Sequence, residues 1–191
     1  MVLDTETTGL DPRTARVIEI GAVALSGGRV AEEASFQTLV AVAGAVPAAA
    51  TAVHGITDGD LAGAPPFPAA YAELTAFIGK RPVIGHTLGF DLAVLKRECE
   101  RAGLAFAPWP MLDTRLLAEI VNPALPGFSL ETLATWLGLS VTDRHRALGD
   151  ARLTAAIFLA LVPRLRELGG GPELELAARS AVQAYNTGFE S

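Results

Sequence analysis

Asp4 and Glu6 stand two residues apart in the segment Val2-Leu3-Asp4-Thr5-Glu6-Thr7-Thr8-Gly9. In an extended strand that spacing puts both carboxylates on one face, with Cα atoms roughly 6.6–7 Å apart. Two like charges held this close repel and need a compensating partner. Divalent cations with oxygen ligands supply it, and two ions about 3.5–4 Å apart fit between such side chains and a few further ligands. The bland alternative is an edge strand with two solvated acids, because short acidic motifs recur by chance. Asp91 is the next candidate, in the first turn of a helix that follows a short apolar strand. Ligand sites of α/β sheets gather at the carboxyl ends of strands, and an acid in a first helical turn also interacts favourably with the helix dipole. Asp150 heads an apolar stripe with Leu153, Ile157 and Leu161. A carboxylate on the core-facing side of a helix is costly unless it is paired or bound to metal. Arg146, four residues earlier, is its ordinary partner.

The chain has three histidines, and a lone histidine is more often a surface or satisfied residue than a catalyst. His145 differs in standing five residues before Asp150. On one continuous helix the two would diverge by roughly 140°. They face a common site only if His145 lies on the loop entering the helix, and Gly149 favours an irregular start there. An imidazole with an ordinary pKa of about 6.5 takes up a proton near neutral pH. Together these residues describe a two-metal hydrolase acting on a phosphodiester. Asp4, Glu6 and Asp150 hold the ions, Asp91 completes the second, and His145 accepts the proton of the attacking water.

The elements that must position these groups follow from the hydrophobic pattern. Val2 to Gly9 reads as the first strand. Arg16 to Leu25 is the second, with Ile18, Ile20, Ala22 and Ala24 on one face, and Arg29 to Val40 is the third, after a Ser26-Gly27-Gly28 hairpin connection. Ala41 to Gly63 reads as a long connection holding His54-Gly55-Ile56-Thr57, and loops of that length are often functional. Helices are expected over 67–78, 90–102, 114–121 (capped by Asp113), 130–137 (capped by Ser129) and 147–168. Pro82 to His86 and Met111-Leu112 read as short strands. This order predicts an α/β domain with a mixed sheet of about five strands and helices on both faces. It spans residues 1–168, and 169–191 follow as a Gly-rich break and a C-terminal helical segment.

With 191 residues, half of them apolar and 19% charged, the chain suits one domain with a sizeable core. The single Cys99 excludes an intrachain disulfide framework and a cysteine zinc cluster. No apolar run is long enough to cross a bilayer, and Asp4 arrives with no charged leader before it, so a cytoplasmic location without membrane contact is expected. The net charge of −6 argues against gripping long stretches of nucleic acid by counterion release. It is compatible with an enzyme that holds a few terminal nucleotides through metal ions.

Asp4-Thr5-Glu6-Thr7-Thr8-Gly9, then Gly85-His86 with Phe90-Asp91, then His145-x-Ala147-x-x-Asp150-Ala151 resemble, in order and spacing, the three motifs of the DnaQ-like, DEDDh-type 3′–5′ exonucleases. The resemblance runs from about Val2 to Val162. It implies an RNase H-like fold with strand order 3-2-1-4-5 and strand 2 antiparallel to the rest. It also implies two Mg²⁺ or Mn²⁺ ions, and release of nucleoside 5′-monophosphates from a nucleic acid 3′ end, DNA ahead of RNA. By position, Asp4, Glu6, Asp91 and Asp150 become the four metal-binding acids and His145 the general base. His54 would contact the terminal nucleotide, backbone near Thr5 and Thr7 would help seat it, and Phe90 would pack near the base. A DNA polymerase subunit is the implied partner. The alternatives are an RNA 3′-end-processing enzyme, a lookalike cutting a small nucleotide, and an idle nuclease fold kept for binding. Thr87 departs from the family's usual Asn, which predicts weakened local hydrogen bonding with metal binding intact.

Overall fold

The computed structural model describes residues 1–107 and 109–168. The strands are β1 (Val2–Thr7), β2 (Val17–Ser26), β3 (Arg29–Leu39), β4 (Val83–Gly85) and β5 (Met111–Asp113). They form one five-stranded sheet in the order β3-β2-β1-β4-β5. β2 pairs antiparallel with both β1 and β3, whereas β1–β4 and β4–β5 are parallel. The expected order and the single reversed strand are therefore observed. The helices are α1 (Ala48–His54), α2 (Asp58–Leu61), α3 (Phe67–Ile78), α4 (Gly89–Ala102), α5 (Thr114–Val121), α6 (Leu130–Leu137) and α7 (Ala147–Glu167). Among the described residues no helix is long and apolar enough to cross a membrane. The Gly-rich break and terminal helix expected over 169–191 lie outside the described residues.

Helices cover both faces of the sheet. α3 and α4 close one face, where Leu3, Ile20, Ala22, Leu74, Leu92 and Leu95 share the main core. α7 closes the other through Leu148, Ala151 and Ala155 against Val2, Val23 and Ile84. Side chains alternate along a strand, so Leu3 and Thr5 of β1 face α4, while Val2, Asp4 and Glu6 face α7. The strand thus delivers its two acids to the helix that carries Asp150.

Two glycines let α7 come close enough to matter. Gly21 of β2 pairs directly with Asp4. A Cβ at Gly21 would lie 2.2 Å from the backbone of Ala147 and Leu148, so the first turn of α7 rests in the space beside Asp4. Gly149 was expected to loosen the helix start, but the helix is regular there, with the Asp150 N–H donating to the Arg146 carbonyl at 2.9 Å. Its role is spatial instead: a Cβ at Gly149 would lie 2.0 Å from the Asp143 carbonyl oxygen. The segment before the helix folds back onto that bare position.

The connection from Ala41 to Gly63 differs from the expected open loop, because it contains α1 and α2. Ala-rich 48–52 is strongly helix-forming, and Gly55 at φ 74° ends α1 in the left-handed conformation. Thr57 and Asp60 form a reciprocal capping box at α2. Val46, Ile56 and Leu61 bury themselves against Ile18, which leaves the main core to meet them.

Thr87 shows that the cost of its departure from Asn is conformational. Its N–H donates to Asp113 Oδ1 at 3.0 Å and the Leu88 N–H donates to Oδ2 at 2.9 Å, so the turn keeps its backbone hydrogen bonds. The residue sits at φ 58°, however, in the left-handed region that β-branched side chains avoid and Asn tolerates. Thr87→Asn should stabilise the protein by about 1 kcal/mol, read as a higher urea midpoint; an unchanged or lower midpoint would show that Thr87 is not strained.

Candidate active site

Asp4, Glu6 and Asp150 meet at the α7 side of β1, each offering a carboxylate oxygen within 4.8 Å of the others. Asp150 is buried, and Asp4 and Glu6 are half-buried. Burial disfavours ionisation here, and mutual repulsion adds to it. Asp4 is pushed well above the usual carboxylate range by burial first, then by the charges of Asp91, Asp150 and Glu6. Burial, followed by Asp150, Glu19 and Asp91, pushes Glu6 up to about 8. Arg144 opposes the rise at both.

Asp91 adjoins this cluster from the α4 side. β4 pairs with β1 only at Val2, so the edge of β1 beyond that point has donors to spare. Thr5 gives Asp91 Oδ1 both its backbone N–H (2.9 Å) and its hydroxyl (2.7 Å). Burial still raises Asp91 to about 7, against those two hydrogen bonds. The structure therefore brings three of the four expected acids into one cluster and leaves the fourth beside them, held by Thr5.

His145 precedes α7, on the loop where a shared site requires it. It is exposed, adopts φ 60°, and donates its N–H to Asp150 Oδ2 at 3.3 Å. The expected pairing of Arg146 with Asp150 does not form. Arg146 is the extended residue before the helix and turns toward β2, where its NH2 lies 2.6 Å from Glu19 Oε1. The ion-pair partner of Asp150 is Arg144, which also binds Glu131 of α6. Left-handed backbone at Asp143 and His145 turns the segment back over α7 and brings Arg144 there.

The remaining expected residues lie around this centre. His54 is buried, and its Nδ1 accepts the Ile56 N–H at 3.0 Å. Burial lowers its pKa despite the nearby charge of Glu19, which keeps the ring neutral at neutral pH. His54, Glu6, Thr7, Leu10, Pro47 and Val53 are among the residues lining a cleft of about 410 Å³, within the range of roughly 300–1,000 Å³ typical of small-ligand sites. The Thr7 hydroxyl donates to the Gly9 carbonyl at 2.8 Å. Phe90 is half-buried and packs against the main core.

Sequence reasoning missed Arg144, Glu19 and Glu131. Glu19 is 1% exposed and accepts hydrogen bonds from Arg146, from the Ala147 N–H (2.9 Å) and from Gln37 (2.9 Å). Burial works against its ionisation, but these donors outweigh it and hold its pKa below the ordinary value. The available signal was an acid inside an otherwise apolar strand, which needs a partner. Nothing in the spacing of Arg144 and Glu131 marks them as a pair.

A family model described as exonuclease matches residues 1–158. The chain is 40% identical over 172 residues to a DNA polymerase III subunit epsilon-like protein of Rhodobacter capsulatus, covering 88% of this chain and 24% of that protein. It is 34% identical over 166 residues to the DNA polymerase III subunit epsilon of Aquifex aeolicus, covering 86% of this chain and 81% of the relative. The 3′-5′ exonuclease DinG of Bacillus subtilis is 32% identical over 169 residues, which are 88% of this chain and 18% of the relative. The chain thus spans a quarter or less of the Rhodobacter and Bacillus relatives. Among solved structures, exonuclease X in complex with 5′-overhanging duplex DNA superimposes with a TM-score of 0.73 at 24% identity, covering 94% of this chain and 98% of that one. Escherichia coli exonuclease I in complex with a dT13 oligonucleotide gives 0.76 at 20% identity, over 87% and 41% of the two chains. These structural likenesses establish a common fold.

The raised carboxylates make metal-free stability depend on pH with a definite sign. Between the ordinary carboxylate range and about 8 for Glu6, or about 7 for Asp91, the folded protein binds more protons than the unfolded chain. Stability therefore falls as pH rises through that window. In EDTA, the melting temperature should be higher at pH 5.5 than at pH 8, and saturating Mn²⁺ should shrink the difference. A metal-free melting temperature that climbs from pH 5.5 to 8 would contradict the raised values.

Proposed function

The chain belongs to the exonuclease family, and on that premise we propose that it is a metal-dependent 3′–5′ exonuclease of the DEDDh type. It would remove nucleoside 5′-monophosphates from the 3′ end of single-stranded or frayed DNA. The observation that carries this reading is the meeting of Asp4, Glu6 and Asp150, from opposite ends of the chain, within 4.8 Å.

The residues present fit divalent cations. All three are hard oxygen donors, the kind suited to Mg²⁺ or Mn²⁺. A cation would offset the burial and repulsion that push Asp4 and Glu6 upward, and Asp150 Oδ1 is buried with no partner beyond its ion pair to Arg144. Asp4, Glu6 and Asp150 would hold the ions, and Asp91, fixed by Thr5, would complete the second set. When bound, two such ions supply Lewis acidity at the attacking water and charge neutralisation at the leaving 3′ oxygen.

The other groups bind and move protons. His145, exposed on its loop, takes the proton of the attacking water. The cleft beside Glu6 receives the terminal nucleotide. Its wall of Leu10, Pro47 and Val53 is apolar and suits a base, and His54 stands at its polar end beside Glu6 and Thr7. With Nδ1 committed as an acceptor, His54 Nε2 carries the proton and is buried with the Thr7 backbone as its polar neighbour. The His54 ring contacts the terminal nucleotide where it lines the cleft. Phe90 contributes through the part of its ring outside the core.

DNA is preferred over RNA in this reading because the relatives are named for DNA polymerase III and the exonuclease X complex holds DNA. A polymerase subunit is the proposed partner: with a net charge of −6 the chain is poorly equipped to track DNA by itself. The proposed place of action is the cytoplasm, where a free thiol such as Cys99 stays reduced.

A 5′-labelled DNA oligonucleotide incubated with Mn²⁺ should shorten one nucleotide at a time and release nucleoside 5′-monophosphates. EDTA or a blocked 3′ end should stop the reaction. Asp4→Ala should abolish turnover with the fold retained. His145→Ala should slow it by about 10²–10⁴-fold while Mn²⁺ binding persists. Oligonucleotides left intact by the wild-type protein would favour the binding-module reading, and shortening from the 5′ end would refute the proposed polarity.

A further inference from the structure

We propose that Arg144 is a resident counter-charge for the acidic centre, holding Asp150 in the metal-free protein and shifting its weight to Glu131 when a cation enters. This inference rests on the reading of Asp4, Glu6 and Asp150 as cation ligands. Its starting point is the bridging position of one guanidinium. Arg144 NH1 pairs with Asp150 Oδ1, and Arg144 Nε donates to Glu131 Oε1 at 2.8 Å. Arg144 NH1 and Asp150 Oδ1 are both buried and have no hydrogen-bond partner beyond this ion pair. Glu131, by contrast, leaves 51% of its side chain exposed, against 8% for Asp150. The arginine therefore spans an inner acid that belongs to the cluster and an outer acid that does not.

Electrostatics makes the inner contact conditional. Among the described residues, Arg144 makes the only ion pair to any of the three clustered carboxylates, because Arg146 is spent on Glu19. A cation taking Asp150 Oδ1 needs the same oxygen and repels the guanidinium at short range. Arg144 and the cation therefore compete for Asp150. Displaced, the guanidinium keeps its fork on Glu131 and loses one partner of two. Glu131 lowers the cost of the exchange by giving the charge somewhere to stay. The assembled, metal-free arrangement of three carboxylates is tolerated in part because this cation surrogate is present.

A plain structural strap, tying the segment before α7 to α6, would predict something else. Loss of either strap partner would then loosen the site and weaken metal binding in both variants. Competition predicts opposite signs. In calorimetric titrations with Mn²⁺ and no nucleic acid, Arg144→Gln should bind the ion about tenfold more tightly than wild type, the scale of one charge-assisted contact. Glu131→Gln should bind it several-fold more weakly, and the double variant should behave like Arg144→Gln. Without metal, Arg144→Gln should melt lower than wild type, with the gap closing at saturating Mn²⁺. If Arg144→Gln does not fold, Arg144→Lys keeps the charge without the fork and should still bind Mn²⁺ more tightly than wild type. Equal or weaker Mn²⁺ binding by the folded Arg144 variant overturns the competition while leaving the metal centre standing. A wild-type protein that takes up no Mn²⁺ overturns the metal centre itself, and the proposal with it.

Discussion

The crowding of negative charge against one short strand is the constraint on which this structure turns. Three carboxylates within 4.8 Å of one another, with Asp91 close enough to raise Asp4, oppose folding. The sheet accepts them because its edges and faces are arranged around them. β4 stops short, leaving the Thr5 N–H and hydroxyl to hold Asp91 on one side. On the other side Gly21, directly across from Asp4, leaves room for the first turn of α7. A side chain there would push the helix outward and carry Asp150 away with it. Repulsion is thus contained by backbone geometry first and by counter-charge second.

Much of this was legible in the sequence, for reasons that can be named. Period-two spacing put Asp4 and Glu6 on one face without any knowledge of the fold, and the observed strand does the same. The requirement that His145 leave the helix to share a face with Asp150 followed from 3.6-residue periodicity alone, and α7 begins two residues after it. The sheet order came from the family resemblance, and the observed order agrees with it. Less legible was the connection holding His54. The whole of Ala41 to Gly63 reads as connection, whereas Pro47 and Gly55 are the two ends of a helix.

What the sequence hid were contacts between residues far apart along the chain. The i−4 rule assigned Arg146 to Asp150, because helical neighbours are all that spacing can offer. It failed because Arg146 is not in the helix but just before it, with extended backbone aimed at Glu19. Arg144 reaches Asp150 through two left-handed residues, Asp143 and His145, neither of them glycine. No pattern of hydrophobicity or charge announces such a turn. The bare α-carbon of Gly149 beneath it is the single local hint, and its meaning depends on what lies 2.0 Å away.

The same turn explains how His145, the proposed base, is held by its two neighbours. The arginines on either side of His145 pull in opposite directions. Arg144 is drawn to α6 and the acidic centre, and Arg146 to β2 through a Glu19 that also takes the Ala147 N–H. Between them the backbone N–H of His145 is tied to Asp150. With both neighbours anchored and its own backbone engaged, His145 presents an exposed side chain from a fixed backbone. Exposure is therefore a consequence of the clamp and not of looseness, because the segment is pinned on both sides of the ring. Burial raises Asp4, Glu6 and Asp91 while His145 stands exposed beside them, and that separation is set by which way two arginines turn.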